Sequence, residues 1–169
     1  ELNISLSSAK ATLTVNCPDA EADIYLNEQK KGRGSWTGQL AEGMYAVEAR
    51  KTSHRSTKQS LTLAKQEQKT VTLNAPQPIY GKLNLTSTPG NCEVFLDGKQ
   101  IGKSPNIFSD ILIGNHNIEL RKDGYETQRQ QVNIEEGKIA DLSLNLKRIG
   151  GEVQQPEAQK PEPKPETKP

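Results

Sequence analysis

The chain states one pattern twice, and that duplication limits its possible folds more than any other feature. Leu13-x-Val15 ahead of Ala22-x-Ile24-Tyr25-Leu26-Asn27 recurs as Leu83-x-Leu85 ahead of Cys92-x-Val94-Phe95-Leu96-Asp97, at a constant offset of 70 residues (13 to 83, 24 to 94). Further along the offset is 71: Gly43 meets Gly114, Arg50-Lys51 meets Arg121-Lys122, and Leu61-x-Leu63 meets Val132-x-Ile134. One inserted residue accounts for the change. A period this long is a whole small domain, so two related modules stand in tandem. Duplicated modules of this size build length, reach or multivalent binding, whereas enzymes more often gather their groups in one cleft.

Each module has only about 70 residues from which to build a core, near the small end of what folds unaided. Apolar residues make up 32% of the chain and aromatics 4%, which points to thin two-layer cores under a large solvated surface. The 22 lysines and arginines nearly balance the 21 aspartates and glutamates, so no strong net field favours nucleic acid or an anionic membrane. No apolar run approaches the roughly 18 residues of a membrane helix, and no signal peptide is visible. The sequence starts at Glu1 and not at methionine, so a processed chain or a piece of a larger multidomain protein is expected.

Period-two alternation dominates. Ala11–Cys17, Ala22–Leu26, Tyr45–Ala49, Ser60–Leu63 and Thr70–Asn74 read as short strands, and Gly81–Ser87, Cys92–Leu96, Asn115–Arg121, Gln128–Ile134 and Ala140–Leu146 repeat them. Threonine and branched aliphatics fill these runs, as a half-buried pleated surface prefers. Asp97-Gly98 is a strong tight-turn signal, with Asn27-Glu28 its weaker counterpart. The expected fold is all-β: two small antiparallel β-sandwich modules in tandem. Residues 1–10 form an N-terminal extension or edge strand, 11–74 the first module and 75–80 a linker stiffened by Pro76 and Pro78. Residues 81–148 form the second module. Residues 149–169 are a tail of Pro, Glu and Lys without a large apolar side chain beyond its first residues, expected to be disordered.

The two cysteines, Cys17 and Cys92, share strand parity with Leu13 and Val15 and with Val94 and Leu96, respectively. Both therefore point into cores, of different modules. Two free buried thiols or an intermodule bridge are the alternatives.

The second module resembles a PEGA domain. The carriers are Thr88-Pro89-Gly90-Asn91-Cys92-Glu93-Val94-Phe95-Leu96-Asp97-Gly98, then Ile101-Gly102-Lys103-Ser104-Pro105, Leu112-Ile113-Gly114-Asn115-His116, and Asp123-Gly124-Tyr125. The first module looks like a degraded copy, with Gly34-Ser35 for Ser/Thr-Pro and Ser53-His54 for Gly-Tyr. The resemblance implies a carboxypeptidase-regulatory or prealbumin-like sandwich, an accessory role in a bacterial envelope or surface protein, and an extracytoplasmic location (periplasm, outer membrane or cell surface). That family has no established catalytic residues to transfer.

The residues themselves offer little chemistry. Histidine is limited to His54 and His116, which align with Tyr125 and Tyr45 and read as substitutes for half-buried aromatics. No spacing matches a zinc site, a phosphate loop or a nucleophile elbow, so no catalytic residue, metal or cofactor is expected. The expected function is a non-catalytic spacer and interaction module, with a protein partner or a cell-wall or host glycan. The alternative is a carbohydrate-binding module using exposed aromatics: Trp36 flanked by Ser35 and Thr37, with Tyr25 and Phe95 on the strand parity opposite the apolar residues. Lys30, Lys31, Arg33 and Arg50–Arg55 give the first module a basic loop face, read as a solvated surface.

Overall fold

The computed structural model describes residues 10–150, and every element among them is a strand. The expectations for residues 1–9 and for the tail from 151 onward lie outside the described residues. Module 1 comprises β1 (Ala11–Asn16), β2 (Asp23–Leu26), β3 (Gln29–Arg33), β4 (Ser35–Leu40), β5 (Gly43–Arg50), β6 (His54–Arg55), β7 (Thr57–Leu63) and β8 (Gln68–Thr72). The connection holds β9 (Gln77–Pro78). Module 2 comprises β10 (Tyr80–Thr88), β11 (Glu93–Leu96), β12 (Lys99–Lys103), β13 (Asn106–Leu112), β14 (Gly114–Arg121), β15 (Gln128–Ile134) and β16 (Ile139–Asn145).

Strand order repeats between the modules. Module 1 runs β7-β5-β2-β3-β4-β1-β8 as one wrapped sheet, and module 2 has the same order cut into β12-β11-β14-β15 and β13-β10-β16. The cut has a chemical cause. In module 1 the two layers are joined by the pairing of Arg33 with Ser35. Pro105 stands at the place of Ser35 and has no N–H to give to such a bridge.

Neighbouring strands pair mostly antiparallel, as expected, with one parallel pair in each module. β1 pairs with β8 in parallel, as β10 does with β16. The turn after β7 carries the chain from one layer to the other, and the strand it delivers runs beside β1 in the same direction. Seven strands build each sandwich where alternation reveals five. β3 was invisible because Gln29-Lys30-Lys31-Gly32-Arg33 is polar throughout and largely exposed; its backbone is held by β2 instead. β13 was masked by Asp110, which adopts φ 57° beside a register shift between Gly81 and Leu83.

Alternation does place the interiors. Leu13, Val15, Ile24, Leu26, Val47, Leu61, Leu63 and Val71 form one core; Leu83, Leu85, Val94, Phe108, Ile118, Leu120 and Ile134 form another. Full burial of one such side chain contributes about 1.5–3 kcal/mol. Cys17 and Cys92 lie in the separate cores as free thiols.

The β2–β3 and β11–β12 turns have the same backbone. Asn27 and Glu28 take φ 46° and 68°, and Asp97 and Gly98 take φ 47° and 84°. Both turns also use the side chain before the break: Asn27 Oδ1 accepts the Ala46 N–H at 2.9 Å and Asp97 Oδ1 the Asn117 N–H at 2.8 Å. Glu28 therefore carries left-handed strain that Gly98 does not. Glu28→Gly is expected to stabilise module 1 by about 0.5–1 kcal/mol, the left-handed cost less the extra freedom of glycine when unfolded. Urea unfolding of the two proteins measures this; equal or lower stability of the glycine variant refutes it.

Candidate functional site

The sequence-selected aromatics lie on different surfaces. Trp36 sits on β4 opposite Val15 of β1, so both side chains face the first core, and Trp36 packs against that core half-buried. Ser35 and Thr37 alternate away from it and are exposed. Tyr25 and Phe95 are on the outer face of the other layer, each beneath a guanidinium: Arg50 lies 4.3 Å from the Tyr25 ring centroid and Arg121 4.3 Å from that of Phe95. The five positions do not form one platform.

The arginine–aromatic pairs extend into a duplicated charged motif that the sequence reading did not single out. Arg50 donates to Glu48 at 2.6 Å. Arg121 donates to Glu119, which also accepts from Arg129 at 2.8 Å. The Arg50 bond holds the Glu48 carboxyl below the usual carboxylate range, against the opposing effect of burial. Arg129 and Arg121 do the same for Glu119. The signal was present as Glu-x-Arg at both Glu48–Arg50 and Glu119–Arg121.

The basic loop face of module 1 is largely neutralised within the chain. Lys30 and Arg33 reach Asp23 at 2.7 and 3.4 Å, and Lys51 reaches Asp19 and Glu21 at 2.9 and 3.0 Å. The Lys51 bond, with the backbone N–H of Glu21, lowers the Asp19 pKa. His116 bridges Asp97 at 2.6 Å and the carbonyl of Leu112 at 2.7 Å. Its counterpart Tyr45 donates to the carbonyl of Ala41 at 3.0 Å, so histidine and tyrosine tie the same loop to the same strand. Burial raises the Asp97 pKa, but the Asn117 N–H and the His116 ring outweigh it and leave the carboxyl below its ordinary value. A groove of about 520 Å³ in module 2 mixes Lys103, Arg121 and Lys122 with Glu93 and Asp123, and so has no single charge preference. Among the described residues no group of three or more His, Cys, Asp or Glu side chains is placed to hold a metal.

The most specific polar constellation lies between the modules. β6 and β9 pair antiparallel, His54 with Pro78 and Arg55 with Gln77, so the linker is an ordered strap against module 1. Ile79 N–H then donates to the Ser53 carbonyl at 2.9 Å, and the Ile79 carbonyl accepts from Ile113 N–H of module 2 at 3.0 Å. Ser53, at φ 61°, donates its hydroxyl to the Ile113 carbonyl at 2.5 Å. Arg55 reaches Glu136 at 2.6 Å. Prolines restrict this linker, and hydrogen bonds join it to both sides. Ser53 and Arg55 meet Ile113 and Glu136 across 60 and 81 positions of sequence, which no local pattern could reveal.

With this geometry in hand, the comparisons fit module 2 first. The family model of the PEGA domain matches residues 80–149, from the start of β10 through Ile149. A search of curated proteins finds no match. Among solved structures the chain is similar to the Bacillus anthracis TIE protein, at 16% identity and TM-score 0.50, over 82% of this chain and 34% of that one. The chain thus spans about a third of that protein, and the likeness is one of fold. It also matches GBS52, the minor pilin of Streptococcus agalactiae, at 14% identity and TM-score 0.40, covering 94% of this chain and 100% of that one. The shaft pilin SpaA of Lactobacillus rhamnosus GG matches at 9% identity and TM-score 0.34, over 83% and 98% of the two chains.

Proposed function

We propose that this chain is a non-catalytic spacer and interaction unit of a bacterial envelope or surface protein, in which two related β-sandwiches are held in a fixed mutual orientation. The joint carries this reading. A flexible tether needs no bonds to its neighbours, yet here strap, Ser53 and Arg55 engage both modules across Ile79, Ile113 and Glu136. The PEGA match supports the accessory role for module 2, and the repeated strand order supports reading module 1 as a diverged second copy. The same match supports an extracytoplasmic placement. Outer strands such as β8 and β16 carry unpaired backbone groups, the usual way a sheet edge accepts an extended partner.

Residual dipolar couplings test the joint. In the native chain both modules are expected to report one alignment tensor. Ser53→Gly with Arg55→Ala, which keeps the left-handed residue permissible but removes the hydroxyl and guanidinium, is expected to split it into two while each module keeps its chemical shifts. Independent tensors in the native chain would rule out the fixed spacer.

A further inference from the structure

The far end of module 2 repeats half of the joint. Ser53 corresponds to Gly124, and both are left-handed, at φ 61° and 78°. The strap Gln77-Pro78-Ile79 corresponds to Lys147-Arg148-Ile149. Glu126 N–H donates to the Lys147 carbonyl at 2.8 Å, Tyr125 bridges Arg148, and Ile149 N–H donates to the Gly124 carbonyl at 2.8 Å, as Ile79 does to Ser53. In the first joint Ile79 is half-buried and its carbonyl is taken by module 2. Ile149, by contrast, is 64% exposed.

Module 1 carries the other half at its opposite end. Ile113 and Gly114, which receive the strap in the joint, correspond to Glu42 and Gly43, and Gly43 and Gly114 both have positive φ, at 151° and 125°. Glu136 corresponds to Lys65. The turns that hold these two residues are alike: Glu67 N–H donates to the Ala64 carbonyl at 3.3 Å and Lys138 N–H to the Glu135 carbonyl at 3.3 Å. The decisive detail is charge. The first joint pairs Arg55 of module 1 with Glu136 of module 2. Their counterparts are Glu126 and Lys65, so both signs are reversed and the pair stays complementary. Glu126 is exposed and forms no ion pair among the described residues, and Lys65 makes only an exposed 3.5 Å contact with Glu42. Glu42, in place of Ile113, would meet a strap in which Lys147 and Arg148 replace Gln77 and Pro78.

We propose that the end of module 2 formed by Gly124–Glu126 and Lys147–Ile149 is an open joint, which receives the Glu42–Gly43 and Lys65 end of module 1 from a second copy of this chain. The contact is heterologous, so it propagates head to tail instead of closing a pair. It is weaker than the joint within the chain: no linker raises its effective concentration, and Gly124 lacks the hydroxyl of Ser53. The proposal rests on reading this chain as an interaction unit, but the rigid-spacer reading survives if copies do not associate, because the dipolar couplings report a single chain.

Sedimentation velocity of the full chain between 10 μM and 1 mM protein at low salt tests it. The weight-average mass is expected to rise with concentration. Glu126→Lys and Lys65→Glu are each expected to weaken association by about fivefold or more, the scale of an exposed pair turned repulsive, and the double variant is expected to restore it. Both side chains are exposed, so circular dichroism should show unchanged folding. A chain monomeric at 1 mM overturns the proposal. So does association indifferent to either single substitution, or a double variant that stays dissociated.

Discussion

Trp36→Ala is expected to lower the stability of module 1 by about 3 kcal/mol, at the low end for truncating a large aromatic because the ring is only half-buried. The ring lies across Gly38: a Cβ built there would be 2.2 Å from Trp36 Cζ2. Module 2 fills the same region from a different position. Phe108 stands where module 1 has Gly38, Asn106 stands where it has Trp36, and Phe108 Cε1 lies 3.1 Å from a Cβ built on Gly102. The aromatic has moved two residues along one strand face while the opposite strand keeps its glycine. Trp36→Asn with Gly38→Phe is therefore expected to recover much of what the alanine variant loses. Thermal unfolding with probes in each module measures both. An unchanged midpoint for Trp36→Ala would mean that the indole is a surface group after all, available to a ligand.

Gly81→Ala is expected to cost module 2 about 2–3 kcal/mol through overpacking. A Cβ at this position would sit 2.4 Å from the Glu135 carbonyl oxygen and 2.6 Å from Ile134 Cγ2. The first of these is backbone and cannot rotate away. Module 1 has the fully buried Ala11 at the same place. The difference lies in the register shift beside Gly81, which draws this end of β10 toward the turn after β15; β1 pairs with β4 without a shift. Unfolding of Gly81→Ala in urea, with Ala11→Gly as the matched change in module 1, separates the two settings. An alanine at 81 without loss would contradict the close approach.

The interiors were legible because burial on a strand has period two, and Leu13, Val15, Ile24, Leu83, Leu85 and Val94 announce it directly. β3 was not, since a polar run paired by its backbone leaves no trace in side-chain order. Parity correctly put Ile24 and Leu26 inside and Tyr25 outside, but it says nothing of Trp36, whose strand was itself missed. The joint was legible only as two prolines. Ser53 and Arg55 find Ile113 and Glu136 by tertiary placement, and even the reversed charges at Lys65 and Glu126 acquire meaning only once the first pair is seen.

The parallel pairing that closes each sandwich bears on how the chain responds to tension. Because β1 and β8 run side by side in one direction, the chain enters the pair at one end and leaves at the other. A pull on the two termini slides these strands lengthwise and loads their evenly spaced bonds together. β10 and β16 share the arrangement over Lys82–Thr88 against Ile139–Asn145, a longer register than Thr12–Asn16 against Gln68–Thr72. Under a rising load the first sandwich is expected to shear before the second, the order that single-molecule force extension reads.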